Sequence, residues 1–120
     1  MAGTSNKDLV VWQRAMDLVL RCYQLTVSLP SDERFGLTAQ MRRAAVSVPA
    51  NLSEGHARRS RQAYANHVSI ALGSQAELET LVEVCRRLGL CSVAALDGFE
   101  SDLRVVGRLL FGLHRSLMTR

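Results

Sequence analysis

Few residues of this sequence have the types and spacing that catalysis requires. The three histidines, His56, His67 and His114, lack the close spacing of zinc-binding pairs, and no Cys-x-x-Cys pair occurs. Ser74 or Cys85 could act as a nucleophile only beside a base and an orienting group, and no local motif supplies them. A phosphate-binding glycine loop is also missing from the sequence. We therefore expect no catalytic residue, no metal and no cofactor.

Arginine supplies the most suggestive chemistry, and it is concentrated in the middle of the chain. The net charge is +4, and all but one of the 15 basic residues are arginines. The stretch 58–61 alone holds three arginines, more than nearby acids can pair. Guanidinium groups match phosphate oxygens well, although the alternative is an ordinary solvated turn. The candidate nucleic-acid site comprises Arg42, Arg43, Arg58, Arg59 and Arg61.

A second polar set admits two interpretations. Its members recur at helical spacing and could line a binding groove. Alternatively, they form a polar network that fixes helix register or assembly, with Arg43 or Arg58 pairing with Glu54 or Glu77. We favour the network. The set comprises Arg43, Ser47, Asn51, Glu54, Gly55, Gly73, Ser74 and Glu77.

Apolar residues at intervals of three and four predict the helices that must position these side chains. The predicted helices cover about 8–28, 37–58, 61–88 and 93–117. Their connections are short, so consecutive helices should be antiparallel neighbours. We predict a single all-α domain over residues 1–120, an antiparallel up-down-up-down four-helix bundle.

Particular residues should set the helix ends and shapes. Ser60 and Ser92 are suited to cap the N-termini of the third and fourth helices, and Gly89 to end the third. Pro49 lies inside the second pattern, where it should kink or divide the helix. Gly73 is small enough for a neighbouring helix to approach closely.

The first helix should present one apolar stripe to the core. This stripe comprises Leu9, Trp12, Met16, Val19 and Tyr23. Further apolar residues lie outside the predicted stripes, among them Val10, Val11, Leu18 and Leu20. Helices that are apolar on more than one face usually cover a second surface. We favour contact between copies of the chain over scattered surface residues.

The sequence also predicts the compartment. No segment approaches the ~20 apolar residues of a membrane span, and the N-terminus lacks the apolar run of a signal peptide. Cys22, Cys85 and Cys91 show no paired spacing, which is typical of reduced thiols. We expect a cytoplasmic protein that makes no membrane contact.

Three blocks of the sequence resemble a known family. They are DLVVWQRA over 8–15, QMRRAAVSVPANLSEG over 40–55 followed by Arg58, and IALGSQAELE over 70–79. They are similar to the bacterial four-helix bundle proteins, also called 23S rRNA intervening-sequence proteins. The matching motif positions are Arg43, Ser47, Asn51, Glu54, Gly55, Arg58, Gly73, Ser74 and Glu77. One departure is His56-Ala57, which puts the geometry of the following turn in doubt.

The resemblance implies a cytoplasmic bacterial protein without known enzymatic activity that assembles as a ring of five. Accessory proteins of diversity-generating retroelements have a similar pentameric barrel, which there serves nucleic acid and a reverse transcriptase. We therefore expect a non-enzymatic homopentamer that binds RNA or DNA through arginine–phosphate contacts. The alternative is a scaffold whose ring docks a protein partner.

Overall fold

The computed structural model describes the backbone of residues 6–119 and the side chains of residues 8–119. Four helices and one short 3-10 turn account for nearly all of this part of the chain, which contains no strand. The elements are α1 (Asn6–Val27), the turn Ser31–Glu33, α2 (Leu37–Ala57), α3 (Arg61–Leu88) and α4 (Val93–Met118). The all-α prediction is confirmed, and each helix end lies within two residues of its predicted position.

The helices form a bundle in which each one contacts two others. α2 packs between α1 and α3, and α4 packs between α3 and α1. The diagonal pairs, α1 with α3 and α2 with α4, make no comparable contact. The bundle is elongated, measuring 46 × 24 × 18 Å. Its four sides are therefore the pairs α1/α2, α2/α3, α3/α4 and α4/α1.

The predicted end residues act as expected. The Ser60 hydroxyl accepts a hydrogen bond from the Ala63 N–H, and the Ser92 hydroxyl accepts one from the Ala95 N–H. Gly89 follows α3 with a φ of 66°, which glycine adopts without a Cβ clash.

Of the two outcomes expected at Pro49, a kink or a division of the second helix, division is wrong, because α2 continues through it. Proline removes only its own N–H from the backbone ladder. The residues around it, Ala45, Val48 and Leu52, are buried in the core, and their packing holds the helix together.

The predicted core stripe of α1 is right only for Trp12 and Val19, which pack partly buried against the core. The buried face consists instead of Val11, Ala15, Leu18, Cys22 and Leu25. Leu9 and Tyr23, which were expected inside, are 50% and 42% exposed. Both stripes have helical spacing, but the buried one carries the small residues Ala15 and Cys22, which allow close packing against neighbouring helices. An apolar stripe is consequently left on the outside of α1.

The two buried thiols are poor nucleophiles. Burial raises the pKa of Cys22 to about 12, against a smaller lowering by Arg42. Burial, followed by the nearby Cys91, raises the pKa of Cys85 to about 11. Because the thiolate is the reactive form, both thiols are inert at neutral pH.

Two further features concern the described residues only. Among them, no helix combines the length and the apolar character that a membrane span needs. The same residues bring no three metal-binding side chains together.

Candidate nucleic-acid interface

A ladder of polar side chains joins α2 to α3. The Ser74 hydroxyl donates to the Ser47 hydroxyl at 2.9 Å, and the Asn51 amide donates to that same hydroxyl at 3.0 Å. Nδ1 of His67 lies 3.0 Å from the Asn51 side-chain oxygen. Three members of the predicted polar set thus meet, together with His67, which the sequence analysis missed. Each polar group of the ladder has a hydrogen-bond partner in it, and such a network favours one register of α2 against α3.

Gly55 lets the two helices approach each other beside this ladder. A Cβ at this position would lie 2.6 Å from Cβ of His67 and 3.1 Å from the Tyr64 ring. Gly73 differs, because among the described residues no atom beyond the neighbouring backbone of its own helix lies within 4 Å of where its Cβ would be. The expected close approach of a neighbouring helix at Gly73 is therefore not made within one copy of the chain.

The charged members of the polar set are only loosely engaged. Arg58 and Glu54 form an ion pair at 3.5 Å, with both side chains more than half exposed. Such exposed pairs contribute about 0.3–0.5 kcal/mol. Within residues 8–119, neither Arg43 nor Glu77 forms an ion pair.

The structure separates the five candidate arginines. Arg42 turns towards α1, where Nε donates to the Thr26 hydroxyl at 2.9 Å and the guanidinium lies 4.4 Å from the centre of the Tyr23 ring. Since α2 rises ~1.5 Å per residue, Arg42 and Arg43 lie roughly 22–24 Å from Arg58. They do not extend the cluster near the turn.

Arg61 ties the turn between α2 and α3 to the end of α4. Its Nη1 donates to the carbonyls of Ser116 and Thr119, at 3.1 and 3.3 Å. The last carbonyls of a helix have no backbone N–H of a following turn to accept from, and a cation at this end also complements the helix dipole. Arg61 is thus a capping residue that places the turn beside the last residues of α4.

Of the three arginines of the turn, Arg59 is the most accessible to a ligand. Its φ of 58° lies in the left-handed region, the only such value among the described non-glycine residues. The left-handed geometry reverses the chain between α2 and α3. Its side chain is exposed and pairs with no carboxylate in the described part of the chain. Arg58 and Arg59 therefore face solvent near the C-terminal end of α4.

The sequence analysis missed a second set of arginines, on α4. Arg104, Arg108 and Arg115 lie on one helical face together with Phe111, which is 59% exposed. They border a shallow groove of about 610 Å³ against α3. Spacings of four and seven residues could have revealed this stripe in the sequence. These residues lie outside the middle of the chain, where the basic excess led to the predicted site.

The α4 arginines differ in their pairing. Arg104 contacts Glu100 at 3.7 Å. By contrast, no carboxylate of residues 8–119 pairs with Arg108 or Arg115. The acid on the facing wall, Glu79, accepts a hydrogen bond from Gln75 at 2.7 Å. The stripe thus offers two unpaired guanidinium groups beside an exposed aromatic ring.

A separate pocket of about 180 Å³ lies where α1 begins, and it contains Asp8, Trp12, Ser53, His56 and Tyr64. The Trp12 indole donates to the Ser53 hydroxyl at 3.0 Å. Burial raises the pKa of Tyr64 to about 12, with a further contribution from the neighbouring Asp8. Tyr64 is therefore neutral at physiological pH and cannot act as a base there.

Comparison with known families places the fold in context. Residues 7–112 match the model of the 23S rRNA-intervening sequence protein family. The chain belongs to this family. Of the ladder residues, Ser47 and Asn51 lie in the block 40–55 and Ser74 in the block 70–79, whereas His67 lies outside both.

One solved structure has a fold similar to that of this chain. The chain is similar to a protein of unknown function from the S23 ribosomal protein family of Bacteroides thetaiotaomicron VPI-5482. The identity is 24% and the TM-score 0.81, over 91% of this chain and 98% of the other. Among proteins of curated function, no match is found. The arrangement of four helices is common to both proteins.

Proposed function

We propose that this intervening-sequence protein is a non-enzymatic, homo-oligomeric protein of the cytoplasm that binds nucleic acid, with RNA as its first candidate. It binds through arginine–phosphate contacts with little reading of base sequence. The ring of five copies, and the likeness to the retroelement accessory proteins, are part of this proposal and derive from the family resemblance.

One observation carries the proposal. The hydrogen bond from Arg61 to Ser116, at 3.1 Å, holds the α2–α3 turn against the end of α4. Arg58 and Arg59 therefore lie at the same end of the bundle as Arg115, and Arg108 continues the series about 10 Å further along α4. A surface formed by these residues follows a phosphate backbone better than an isolated turn would.

The chemistry of this surface suits a polyanion. Arg59, Arg108 and Arg115 have no carboxylate partner among the described residues, so binding phosphate requires no ion pair to be broken. Phe111 adds a ring on which one unpaired base can stack. With one exposed ring and few neutral donors, the surface discriminates weakly between sequences.

Salt titration tests the proposal. Fluorescence anisotropy should detect binding of a mixed-sequence single-stranded RNA at low salt, with an affinity that falls steeply as salt rises, because bound counterions are released. A DNA of the same sequence serves as the comparison. Absence of binding to both at low salt would refute the proposal. In that case, one stoichiometric protein partner that survives nuclease treatment would support the scaffold alternative.

A further inference from the structure

The outer surface of α1 and α2 is an apolar face on which no other part of residues 8–119 packs. Its exposed members include Leu20 at 61%, Tyr23 at 42% and Val27 at 75% on α1, and Val46 at 43% on α2. Met16 on α1 is partly buried. We call these five residues the α1/α2 face. Contiguous apolar surfaces of this kind typically mark contacts with other proteins.

A second, smaller apolar surface lies on the outside of α3. Ile70 is 52% exposed and Leu88 is 61% exposed, and Val84 is partly buried between them. Gly73 and Glu77 lie in the same stripe, since the five positions differ by three, four or seven residues. We call these five residues the α3 face. Gly73 forms a dent in it, with no atom within 4 Å of its missing Cβ.

We infer that the α1/α2 face of one copy packs on the α3 face of the next copy. The inference rests on the homo-oligomeric part of the proposed function and names its surfaces. Because the two faces differ, each copy uses both, and the contact is head-to-tail. The two faces belong to adjoining sides of the bundle that meet at α2. Successive copies therefore turn about the α2 side, with α2 nearest the axis and α4 outside, and such a head-to-tail contact forms a closed ring when its rotation divides a full turn.

The heights of residues along the bundle support this pairing. Ser47 and Ser74 touch at 2.9 Å, so Val46 on α2 lies at nearly the height of Gly73 on α3. Rotation about a ring axis parallel to the bundle leaves every residue at its own height. Val46 of one copy therefore comes opposite the dent at Gly73 of the next.

The charges of the two faces are complementary at one position. Arg42 borders the α1/α2 face, held by Thr26 and the Tyr23 ring, and pairs with no carboxylate of the described residues. In the antiparallel α2–α3 pair, counting from the Ser47–Ser74 contact places Arg42 within one turn of the height of Glu77. Glu77 also has no ion-pair partner in residues 8–119. Packing one face on the other brings these two charges together.

Filling the dent tests the inference. A Cβ added at Gly73 meets no atom of the described residues within 4 Å beyond its own helix backbone, and Gly73→Leu replaces a helix-weakening glycine, so the monomer should fold as well or better. We expect light scattering after size exclusion, on the full chain free of nucleic acid, to show loss of assembly with unchanged circular dichroism. Gly98→Leu is the matched control, since Gly98 is equally open but lies on α4. It should assemble like the wild type.

Charge reversal provides a second test. Arg42→Glu and Glu77→Arg should each weaken assembly by placing like charges opposite each other. The double variant Arg42→Glu with Glu77→Arg should assemble again, because every contact then pairs opposite charges. Assembly of Gly73→Leu at the wild-type size would overturn the inference, as would failure of the double variant to assemble. A monomeric wild type would overturn this inference and the oligomer, whereas nucleic-acid binding is judged separately by anisotropy.

Discussion

The two ends of the α3/α4 surface use arginine in opposite ways. At one end, Arg86 contacts Asp97 at 2.9 Å, Glu100 at 3.1 Å and Glu83 at 3.7 Å. At the other end, Arg108 and Arg115 pair with no carboxylate of residues 8–119. Both ends lie on the same pair of helices. The difference is therefore in the placement of acids around the arginines rather than in the arginines themselves.

This difference shows what separates a structural arginine from a binding one. The three acids around Arg86 cancel its field and hold the guanidinium in place, and the first of them, Asp97, contributes most to raising its pKa. If Arg86 left these contacts to bind a ligand, three carboxylates would remain close together without their shared cation. Arg108 and Arg115 form no ion pair with a carboxylate of residues 8–119, so less of their positive charge is offset at close range, and such charge attracts phosphate at a distance. A count of arginines in the sequence misses this distinction.

Placing a carboxylate beside the unpaired Arg108 and Arg115 should have the largest effect on RNA affinity. Gly112 lies four residues after Arg108 and three before Arg115, with open space around it. In Gly112→Glu, the new carboxylate can pair with either arginine, which would make this end resemble the Arg86 end. We expect RNA affinity at low salt to fall about tenfold, equivalent to about 1.4 kcal/mol, as measured by anisotropy.

The matched control for that variant is Gly112→Gln, which has the same shape without the charge. Its affinity should stay within about twofold of the wild type, or about 0.4 kcal/mol. Equal losses in the two variants would mean that bulk in the groove, rather than charge pairing, weakens binding.

Disturbing the paired end should have a smaller effect, seen in stability rather than in binding. Arg86→Gln leaves Glu83, Asp97 and Glu100 without their shared cation, so their repulsion should lower the melting temperature by a few degrees. Arg87→Gln, which removes a contact to Glu83 alone, should lower it less. Calorimetry measures both. A loss of RNA affinity in Arg86→Gln as large as that in Gly112→Glu would contradict the distinction between the two ends.

The helices were largely predictable from the sequence, but the inward face of α1 was not. Spacing of apolar residues determines where a helix can form, and cap residues such as Ser60 and Ser92 mark its ends. α1 carries two apolar stripes with the same spacing. The choice between them depends on how closely Ala15 and Cys22 let the neighbouring helices approach, which is a property of the packed bundle.

The candidate site was only partly predictable, for a similar reason. Arg58, Arg59 and Arg61 are neighbours in sequence, but only the fold shows that Arg61 caps α4 while Arg59 faces solvent. Arg42 belongs to the same basic stretch of the sequence but lies far from these three residues in space. The pairing of His67 with Asn51 joins residues 16 positions apart, on different helices, which periodicity within one helix does not reveal.

The most direct test compares two double variants with the same change in net charge. Arg108→Ala with Arg115→Ala removes the unpaired arginines, whereas Arg21→Ala with Arg87→Ala removes two that contact Asp102 and Glu83. The measurement is the slope of log affinity against log salt for single-stranded RNA. We expect the first variant to lower the magnitude of this slope by about 1.4, from two lost phosphate contacts, and the second to leave it unchanged. Equal slopes for the two variants would contradict this expectation.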